Sequence, residues 1–252
     1  MQKTILSLLS ASTPKQVHLY DTLPSTNTTL KEMALQGAPH GTAVIARGQT
    51  AGRGRLDRQF ASPQDAGLYI SILLRENIST DRLSLLTPYA AVAAARAVES
   101  VADVTVGIKW VNDLRIGEKK IAGILTEGGF SPEGGAAYAI VGIGINLLPS
   151  ALPSELHSIA AAIGDYTTPP SLTKMAAALL DRFFGDLPTL HDATFLEEYR
   201  RRSVVLGRRV LAIDGERRIT GIAEAIEDDG ALRLATDRGA VLLRAGEVSI
   251  KL

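Results

Sequence analysis

The amino-acid sequence predicts an α+β fold in two parts, a main domain over residues 1–203 and a small C-terminal β-barrel over residues 204–252. Helical and strand-like segments are interleaved up to about residue 202, whereas only short strands joined by turn signals follow Ser203. A chain of 252 residues is also long enough to bury one full core and to carry a smaller satellite domain. The boundary rests only on this change from mixed helical and strand-like patterns to strand-like patterns, because no long linker separates the two parts.

The first part of the chain is predicted to begin with strands and two helices. Ser25, Thr26 and Asn27 are helix-capping residue types ahead of an apolar stripe, so a helix should start there and close at Gly37. An alanine-rich stripe at helical spacing predicts a second helix over residues 81–101. The apolar segment 5–9 should dock as a short N-terminal element. Short apolar runs predict strands at residues 17–20, 42–46 and 68–74.

The remaining elements are predicted from the same two patterns, helical spacing of apolar residues and short apolar runs. Four more strands of the main domain are predicted at residues 105–110, 113–116, 121–126 and 137–145. Two helices with apolar stripes are predicted at residues 172–187 and 194–202. The strands of the C-terminal part are predicted at residues 210–213, 218–226, 231–235 and 240–244. Turns containing Asp and Gly separate these last strands, and such turns are typical of β-hairpins.

Composition narrows the class of protein. Lysine plus arginine and aspartate plus glutamate number 27 each, so the formal net charge is zero. No global field therefore draws the chain to nucleic acid or to an anionic membrane, and a basic site must be local. The absence of cysteine excludes disulfides, cysteine-ligated metals and a thiol nucleophile, and it suits a cytoplasmic location. No run approaches the roughly 18 apolar residues that span a bilayer, so we expect no membrane partner.

The most informative motif is an arginine-rich segment, here called the Arg-rich loop (residues 49–63). Its chemistry lies in the run Gln49-Thr50-Ala51-Gly52-Arg53-Gly54-Arg55, which continues to Arg58. The glycines let the backbone curl and bring amide N–H groups against a ligand, while three arginines within six positions concentrate positive charge. The pattern indicates a site for an anionic, phosphorylated ligand, with a solvated loop or a nucleic-acid patch as the alternatives. Zero net charge and the lack of an aromatic residue before Phe60 favour the small-molecule site.

A second motif, Lys109-Trp110-Val111-Asn112-Asp113, lies where one apolar strand ends and another begins. Lys109 can supply a phosphate contact, Asn112 an amide for a base edge, and Asp113 a carboxylate for a metal or an incoming amine. The alternative is a hairpin capped by Asn and Asp, with Trp110 in the core.

Two further segments carry weaker signals. Lys120 enters an apolar strand just before Gly123, so its ammonium can point into a pocket, although paired lysines are usually solvated. Gly142 and Gly144 alternate in another strand that ends at Asn146, and a flat ligand could lie against a sheet face without side chains. A strand bulge is the competing explanation. No histidine has metal-ligand spacing, and neither a Ser-His-Asp set nor a GxSxG elbow is visible.

Taken in order, five motifs resemble those of the biotin protein ligases. They are Ser25-Thr26-Asn27, the Arg-rich loop, and residues 109–113, 120–123 and 142–146. The match spans roughly residues 17–148 and is far more specific than any single motif. The resemblance implies a mixed β-sheet with helices packed on one side, related to the lipoate ligases, and a C-terminal SH3-like barrel. Residues 1–203 would then form the catalytic domain that binds biotin and ATP.

The resemblance also implies roles for single residues. Ser25, Thr26 and Gln49 would hydrogen-bond the ureido ring of biotin, and Lys120 would lie beside the acyl-phosphate oxygens. The implied biotin-binding residues are Ser25, Thr26, Asn27, Gln49, Gly52, Arg53, Gly54, Arg55, Lys120, Gly123 and Gly142. The implied ATP-binding residues are Arg55, Arg58, Lys109, Trp110, Asn112, Lys120 and Asn146. The implied catalytic residues are Lys120, Arg53, Arg55 and Asp113, the last either orienting or deprotonating the acceptor amine or only capping its turn.

The implied activity is ATP-dependent biotinylation. Biotin would be activated as biotinyl-5′-AMP and passed to a lysine of the biotin carboxyl carrier protein domain of acetyl-CoA carboxylase or a related enzyme. Mg²⁺ would arrive with ATP and have no dedicated protein ligands. Regulatory members of the family carry a helix-turn-helix domain of some 60 residues, and only 24 residues precede Ser25. No repressor activity and no nucleic-acid partner are therefore expected, and a homodimer through an exposed sheet edge is plausible.

Three positions depart from the family pattern. The family commonly has Gly where Asp57 stands, Trp where Phe60 stands and Pro where Val111 stands, which bears on loop dynamics and ATP affinity. The rival hypotheses are a lipoate or octanoate ligase of the same fold, a biotin sensor that consumes no ATP, and a nucleic-acid-binding regulator.

Overall fold

The structure, a computed structural model, describes residues 1–56, 58–75, 80–130, 136–149 and 152–250. Asp57, one of the three departures from the family pattern, lies outside the described residues. The helices are α1 (Gln2–Leu8), α2 (Thr26–Leu35), α3 (Thr80–Leu83), α4 (Leu86–Val101), α5 (Leu172–Gly185), α6 (Pro188–Asp192) and α7 (Phe195–Arg202). The strands are β1 (Val17–Leu23), β2 (Ala43–Gln49), β3 (Gly67–Leu74), β4 (Gly107–Lys109), β5 (Asp113–Ile116), β6 (Lys119–Phe130), β7 (Ala136–Asn146), β8 (Arg209–Asp214), β9 (Arg217–Ile226), β10 (Leu232–Thr236), β11 (Gly239–Leu243) and β12 (Glu247–Ile250).

Seven strands form a mixed sheet in the order β1-β2-β3-β7-β6-β5-β4. β1 and β2 are parallel, and α2 connects them, as a parallel pair requires a crossover. The other neighbours are antiparallel. β3 is buried along its whole length, which explains why its sequence is almost wholly apolar and does not alternate. The predicted mixed sheet is confirmed.

Helices lie on both faces of this sheet. Ile70 and Ile72 of β3 join a large core with α4 and α5, whereas Leu73, which points to the other face, packs with Leu30 of α2. The implied arrangement with helices on one side is therefore wrong for α2. The physical reason is the apolar stripe of α2, which Val44 and Leu73 bury on that face.

The second sheet is antiparallel throughout, in the order β11-β10-β9-β8-β12. This small sheet matches the predicted SH3-like C-terminal part. The sequence analysis missed β12, because the strand has only four residues and follows the turn at Gly246 without a hairpin signal. The boundary at residue 203 stays a prediction; α7 ends at Arg202 and β8 begins at Arg209.

Several predicted elements have different bounds in the structure. The helix predicted over residues 81–101 is two helices, α3 and α4, and the strand predicted over residues 105–110 covers only Gly107–Lys109. The helix α6 was not predicted. The segment predicted to dock at the N-terminus is confirmed as α1, whose Ile5 is fully buried. Within the described residues, no helix combines the length and apolar character needed to cross a membrane.

Candidate active site

A cavity of about 250 Å³ opens on the face of the seven-stranded sheet that carries α2. Its walls come from the N-terminus of α2, the Arg-rich loop, strands β3 to β7, and the start of β12 in the second sheet. Of the site residues that the sequence predicted, all line this cavity except Gly52 and Asn146. Residues far apart in the chain thus meet in one place.

One end of the cavity is built from uncharged side chains, and Gln49 organises it. The side-chain oxygen Oε1 of Gln49 accepts hydrogen bonds from the backbone N–H and the hydroxyl of Thr26, at 2.8 and 3.2 Å. Its Nε2 donates to Ser62 Oγ at 2.8 Å. Gln49 therefore satisfies the first N–H of α2, a role that the sequence assigned to local capping residues. Ser25 occupies the N-cap position without a side-chain capping bond and lines the cavity instead.

Asn27 is the second fixed group at this end, which we call the neutral end. It is buried, and its Oδ1 lies 2.5 Å from Ser71 Oγ, while its Nδ2 donates to Leu125 O at 3.3 Å. Ser71 Oγ also lies 2.7 Å from Thr26 Oγ1. A side chain at position 142 would not fit, since a Cβ there would be 2.1 Å from Asn27 Oδ1. In this structure the gap left by Gly142 is thus filled by Asn27.

A charged bridge closes the neutral end. Asn27 Nδ2 donates to Glu127 Oε2 at 2.7 Å, and Arg53 Nη1 pairs with the same carboxylate at 3.0 Å from Oε1 and 3.2 Å from Oε2. Arg53 belongs to the Arg-rich loop, whereas Glu127 is in β6 and Asn27 in α2. The bridge therefore ties the loop to a strand of the main sheet and to α2.

The middle of the cavity contains an ion pair and an aromatic ring. Lys120 Nζ lies 2.6 Å from Asp113 Oδ1 and 5.8 Å from the centre of the Phe60 ring. A Cβ at Gly144 would be 2.5 Å from that ring, so the second of the alternating glycines makes room for Phe60. The carboxylate of Asp113 thus holds the ammonium of Lys120.

The opposite end, called here the cationic end, lies against the second sheet. Arg55 Nη1 donates to Asn112 Oδ1 and to Gly246 O, both at 3.3 Å. Asn112 Nδ2 in turn donates to Ile124 O at 2.9 Å. Arg58 forms a two-pronged ion pair with Glu247, with both contacts at 2.7 Å. The contacts of Arg55 and Arg58 connect the Arg-rich loop to the C-terminal sheet.

Burial changes the ionisation of two cations at this end. It lowers the pKa of the Lys109 ammonium from its ordinary value, and nearby Asp113 only partly offsets this effect. Burial likewise lowers the pKa of the Arg55 guanidinium, against the attraction of Glu247 and Asp113. An anionic ligand would relieve this cost, because its negative charge favours the protonated cations.

Three predicted site residues have structural roles beside the cavity or in its wall. Asn146 is buried, and its Nδ2 donates to Ala161 O at 3.0 Å, so the geometry gives no support to a nucleotide contact. Gly52 lies within the Arg-rich loop, where a Cβ would be 2.3 Å from Phe60 O. Trp110 belongs to the hydrophobic core and also lines the cavity. It is 3% exposed, and its Nε1 donates to Gly230 O at 3.0 Å.

The described part of the Arg-rich loop forms backbone hydrogen bonds with itself, which the sequence did not predict. Backbone hydrogen bonds join Phe60 N to Gly52 O at 2.9 Å and Gly54 N to Arg58 O at 2.7 Å, so much of it is a hairpin.

Val111, another departure from the family pattern, accepts a hydrogen bond at its carbonyl from Tyr199 Oη at 3.0 Å. The described part of the chain contains no cluster of three or more His, Cys, Asp or Glu side chains that could hold a metal ion.

The sequence analysis missed several contributors to the site. Ser71 is a polar residue in an otherwise apolar strand, and that break in pattern could have identified it. Glu127 directly follows the strand predicted at residues 121–126 but was given no role. Glu247 could not be found from sequence, because the fold brings it to the loop from the other sheet.

Comparison with known proteins gives the family. The model of the Biotin/lipoate A/B protein ligase family matches residues 19–146, and that of the Biotin protein ligase C terminal domain matches residues 205–251. The chain is 33% identical to the Bifunctional ligase/repressor BirA of Bacillus subtilis, over 92% of this chain and 73% of that protein. It is 30% identical to the Biotin--[acetyl-CoA-carboxylase] ligase of Mycobacterium tuberculosis, over 89% of this chain and 85% of that protein.

A solved structure supports the same assignment. The biotin protein ligase of Aquifex aeolicus in complex with biotin and ATP superposes with a TM-score of 0.80 at 28% identity, covering 94% of this chain and 99% of the other. The resemblance inferred from the five motifs is thereby confirmed. The chain belongs to the Biotin/lipoate A/B protein ligase family, as an enzyme of its biotin protein ligase branch.

Proposed function

We propose that this ligase joins biotin to ATP as biotinyl-5′-AMP and then transfers biotin to a lysine of a biotin carboxyl carrier protein domain. One observation carries the proposal: a single cavity has a neutral, hydrogen-bonding end and a cationic end, with Lys120 between them. A biotin head group has N–H donors and a carbonyl acceptor, whereas a triphosphate is a polyanion. The two ends suit these two chemistries.

At the neutral end, Ser25, Thr26 and Gln49 are the proposed contacts of the ureido ring. Ser25 is a buried residue that lines the cavity, and its hydroxyl makes no hydrogen bond to another described residue, so it is free to bind a ligand. Asn27 is already held by Ser71, Leu125 and Glu127, and it supports the wall there. The other predicted biotin contacts also stay predictions; they are Gly52, Arg53, Gly54, Arg55, Lys120, Gly123 and Gly142.

The proposed chemistry takes place beside Lys120. A carboxylate oxygen of biotin attacks the α-phosphorus of ATP, and pyrophosphate leaves with the electrons of the broken P–O bond. The lysine amine of the carrier then attacks the acyl carbon, loses a proton, and AMP leaves. Since two anions must approach each other in the first step, Arg53, Arg55 and Lys120 would act by charge neutralisation and positioning.

The nucleotide would occupy the cationic end, with Arg58, Lys109, Trp110 and Asn112 near it. Mg²⁺ would come as the magnesium complex of ATP, since the described residues offer only Asp113 and Glu247 as acids of the cavity, and both are ion-paired. Asp113, which pairs with Lys120, would orient that ammonium, and its contact with the acceptor amine stays a prediction.

The carrier protein is proposed from the relatives. The ligases of Mycobacterium tuberculosis and Paracoccus denitrificans are both named Biotin--[acetyl-CoA-carboxylase] ligase, the latter at 33% identity over 85% of this chain. The absence of repressor activity, the cytoplasmic location and a homodimer stay predictions.

Pyrophosphate exchange tests the proposal. Purified protein is given ATP, magnesium, labelled pyrophosphate and either biotin, lipoate or octanoate. Label should enter ATP only with biotin, and addition of a carrier domain should yield a biotinylated lysine. Exchange with lipoate alone would move the chain to the sister activity. Biotin binding without any exchange would indicate a sensor.

A further inference from the structure

We infer that Glu127 is a positioning residue for biotin binding, which holds Arg53 and the Arg-rich loop over the neutral end. This inference rests on the proposed function, because it concerns the site where biotin is proposed to bind. The sequence analysis gave Glu127 no role, and its side chain does not line the cavity.

Glu127 connects the Arg-rich loop to the part of the sheet beside the neutral end of the cavity. Gly123, Leu125 and Glu127 alternate onto the cavity face of β6, where Gly123 and Leu125 line the cavity. At about 3.3 Å per residue, Glu127 lies roughly 13 Å along the strand from Gly123, beyond the neutral end. Its carboxylate there receives Asn27 Nδ2 and Arg53 Nη1.

The bonding pattern leaves Arg53 able to bind a substrate. Glu127 engages one terminal nitrogen of the guanidinium, Nη1, through both carboxylate oxygens. No other hydrogen bond or ion pair joins the Arg53 side chain to the described residues, so Nε and Nη2 remain available for a carboxylate or phosphate. Glu127 fixes the direction of the guanidinium without using its full capacity.

Glu127 itself rests on a rigid partner. The Arg53 side chain is 45% exposed and that of Glu127 is 25% exposed, whereas Asn27 is 4% exposed and also held by Ser71. Ser71 of the buried sheet therefore holds Asn27, Asn27 holds Glu127, and Glu127 holds Arg53 of the exposed loop. The other two arginine contacts of the loop, from Arg55 and Arg58, reach the cationic end.

This division predicts a selective defect. Loss of the Glu127 charge should weaken the hold on Arg53 while leaving the contacts of Arg55 and Arg58 in place. We expect Glu127→Gln to raise the KM for biotin about ten-fold, as for loss of a charge-assisted hydrogen bond. The KM for ATP should change less than about two-fold, because the contacts of Arg55 and Arg58 are kept. The value of kcat should fall as well, since Arg53 is also proposed to neutralise the reacting anions. Glu127→Asp, which keeps the charge on a shorter side chain, should recover part of the biotin affinity.

The experiment is steady-state pyrophosphate exchange, with biotin and ATP varied separately, on wild type, Glu127→Gln, Glu127→Asp and Glu224→Gln. Glu224 is the matched control, because it is a half-exposed glutamate paired with Arg233 in the second sheet, away from the cavity. Tryptic cleavage at Arg53 in the absence of ligands should be faster in Glu127→Gln than in the control, at equal thermal stability.

The outcomes separate the two proposals. Absence of exchange in wild type overturns the proposed function. Exchange in wild type, with an unchanged biotin KM in Glu127→Gln or with equal rises in both KM values, overturns the role of Glu127. If Glu127→Gln does not fold, Glu127→Asp decides: a rise confined to the biotin KM supports the role, and none contradicts it.

Discussion

The two ends of the cavity hold their shape by different means. The neutral end is a network in which Ser71 bonds Thr26 and Asn27, while Gln49 bonds the backbone N–H and the hydroxyl of Thr26 at the start of α2. The cationic end is held by long side chains of the loop that reach a second sheet, as in the pair of Arg58 with Glu247. The first arrangement fixes donors and acceptors for a specific head group. The second supplies charge for a polyanion and is sensitive to ionic strength and pH.

The largest effect should come from the residue between the two ends. Lys120→Ala removes the ammonium proposed to neutralise the reacting oxygens, and we expect roughly a 10²- to 10³-fold fall in the exchange rate, as for a lost oxyanion donor. Lys119→Ala is the matched control, since Lys119 is adjacent and exposed. Normal turnover in Lys120→Ala would remove its proposed role.

A single added methyl group should disturb the neutral end and leave the cationic end unchanged. Gly142→Ala places a Cβ where Asn27 Oδ1 now lies, 2.1 Å away, so Asn27 must move. We expect biotin affinity, measured by calorimetry, to fall about 10- to 100-fold, in line with the usual cost of overpacking. Gly128→Ala is the control, because the nearest atom to its Cβ would be Tyr138 O at 3.8 Å. A matching loss of ATP affinity in Gly142→Ala would contradict the separation of the two ends.

The cationic end can be weakened from the second sheet. Glu247→Gln removes the ion pair with Arg58, whose side chain is 67% exposed. The KM for ATP should rise a few-fold, about the worth of a surface pair, and the KM for biotin should stay constant. The effect should shrink in high salt. A change in the biotin KM of the same size would show that the loop moves as one body.

A pH profile sharpens the comparison further. Burial lowers the pKa of Lys109, so this ammonium loses its proton at a lower pH than an ordinary lysine with a pKa near 10.5. ATP affinity should therefore fall as pH rises through this lowered pKa, while biotin affinity should not follow it. Lys109→Arg keeps the charge and should flatten the decline, whereas Lys119→Arg should not. An unchanged decline in Lys109→Arg would exclude Lys109 as its source.

The sequence identified most residues of the site but few of their partners. The resemblance of the ordered motifs to those of the biotin protein ligases implied that Gln49, Asn112 and Lys120 share one site, and all three line the cavity. It does not show that Gln49 caps α2, since that bond joins residues 23 positions apart. Nor does it show that the Asn146 side chain donates to Ala161 O, and the ATP contact of Asn146 stays a prediction.

The fold was predicted to a similar extent. Periodicity found the strands of both sheets except β12, and turn chemistry found the hairpins of the second sheet. Periodicity could not place α2 on the face opposite α4, because both helices have apolar stripes and the choice depends on tertiary packing. That choice creates the cavity, since α2 presents Ser25, Thr26 and Asn27 to the glycine-bearing strands β6 and β7.

A crystal structure of the protein with biotin and a non-hydrolysable ATP analogue tests the division of the cavity most directly. The account predicts the ureido ring within hydrogen-bond distance of Ser25 and Gln49, and the triphosphate beside Lys109 and Arg55. Biotin bound against β12, or a triphosphate at the neutral end beside Asn27, would contradict it.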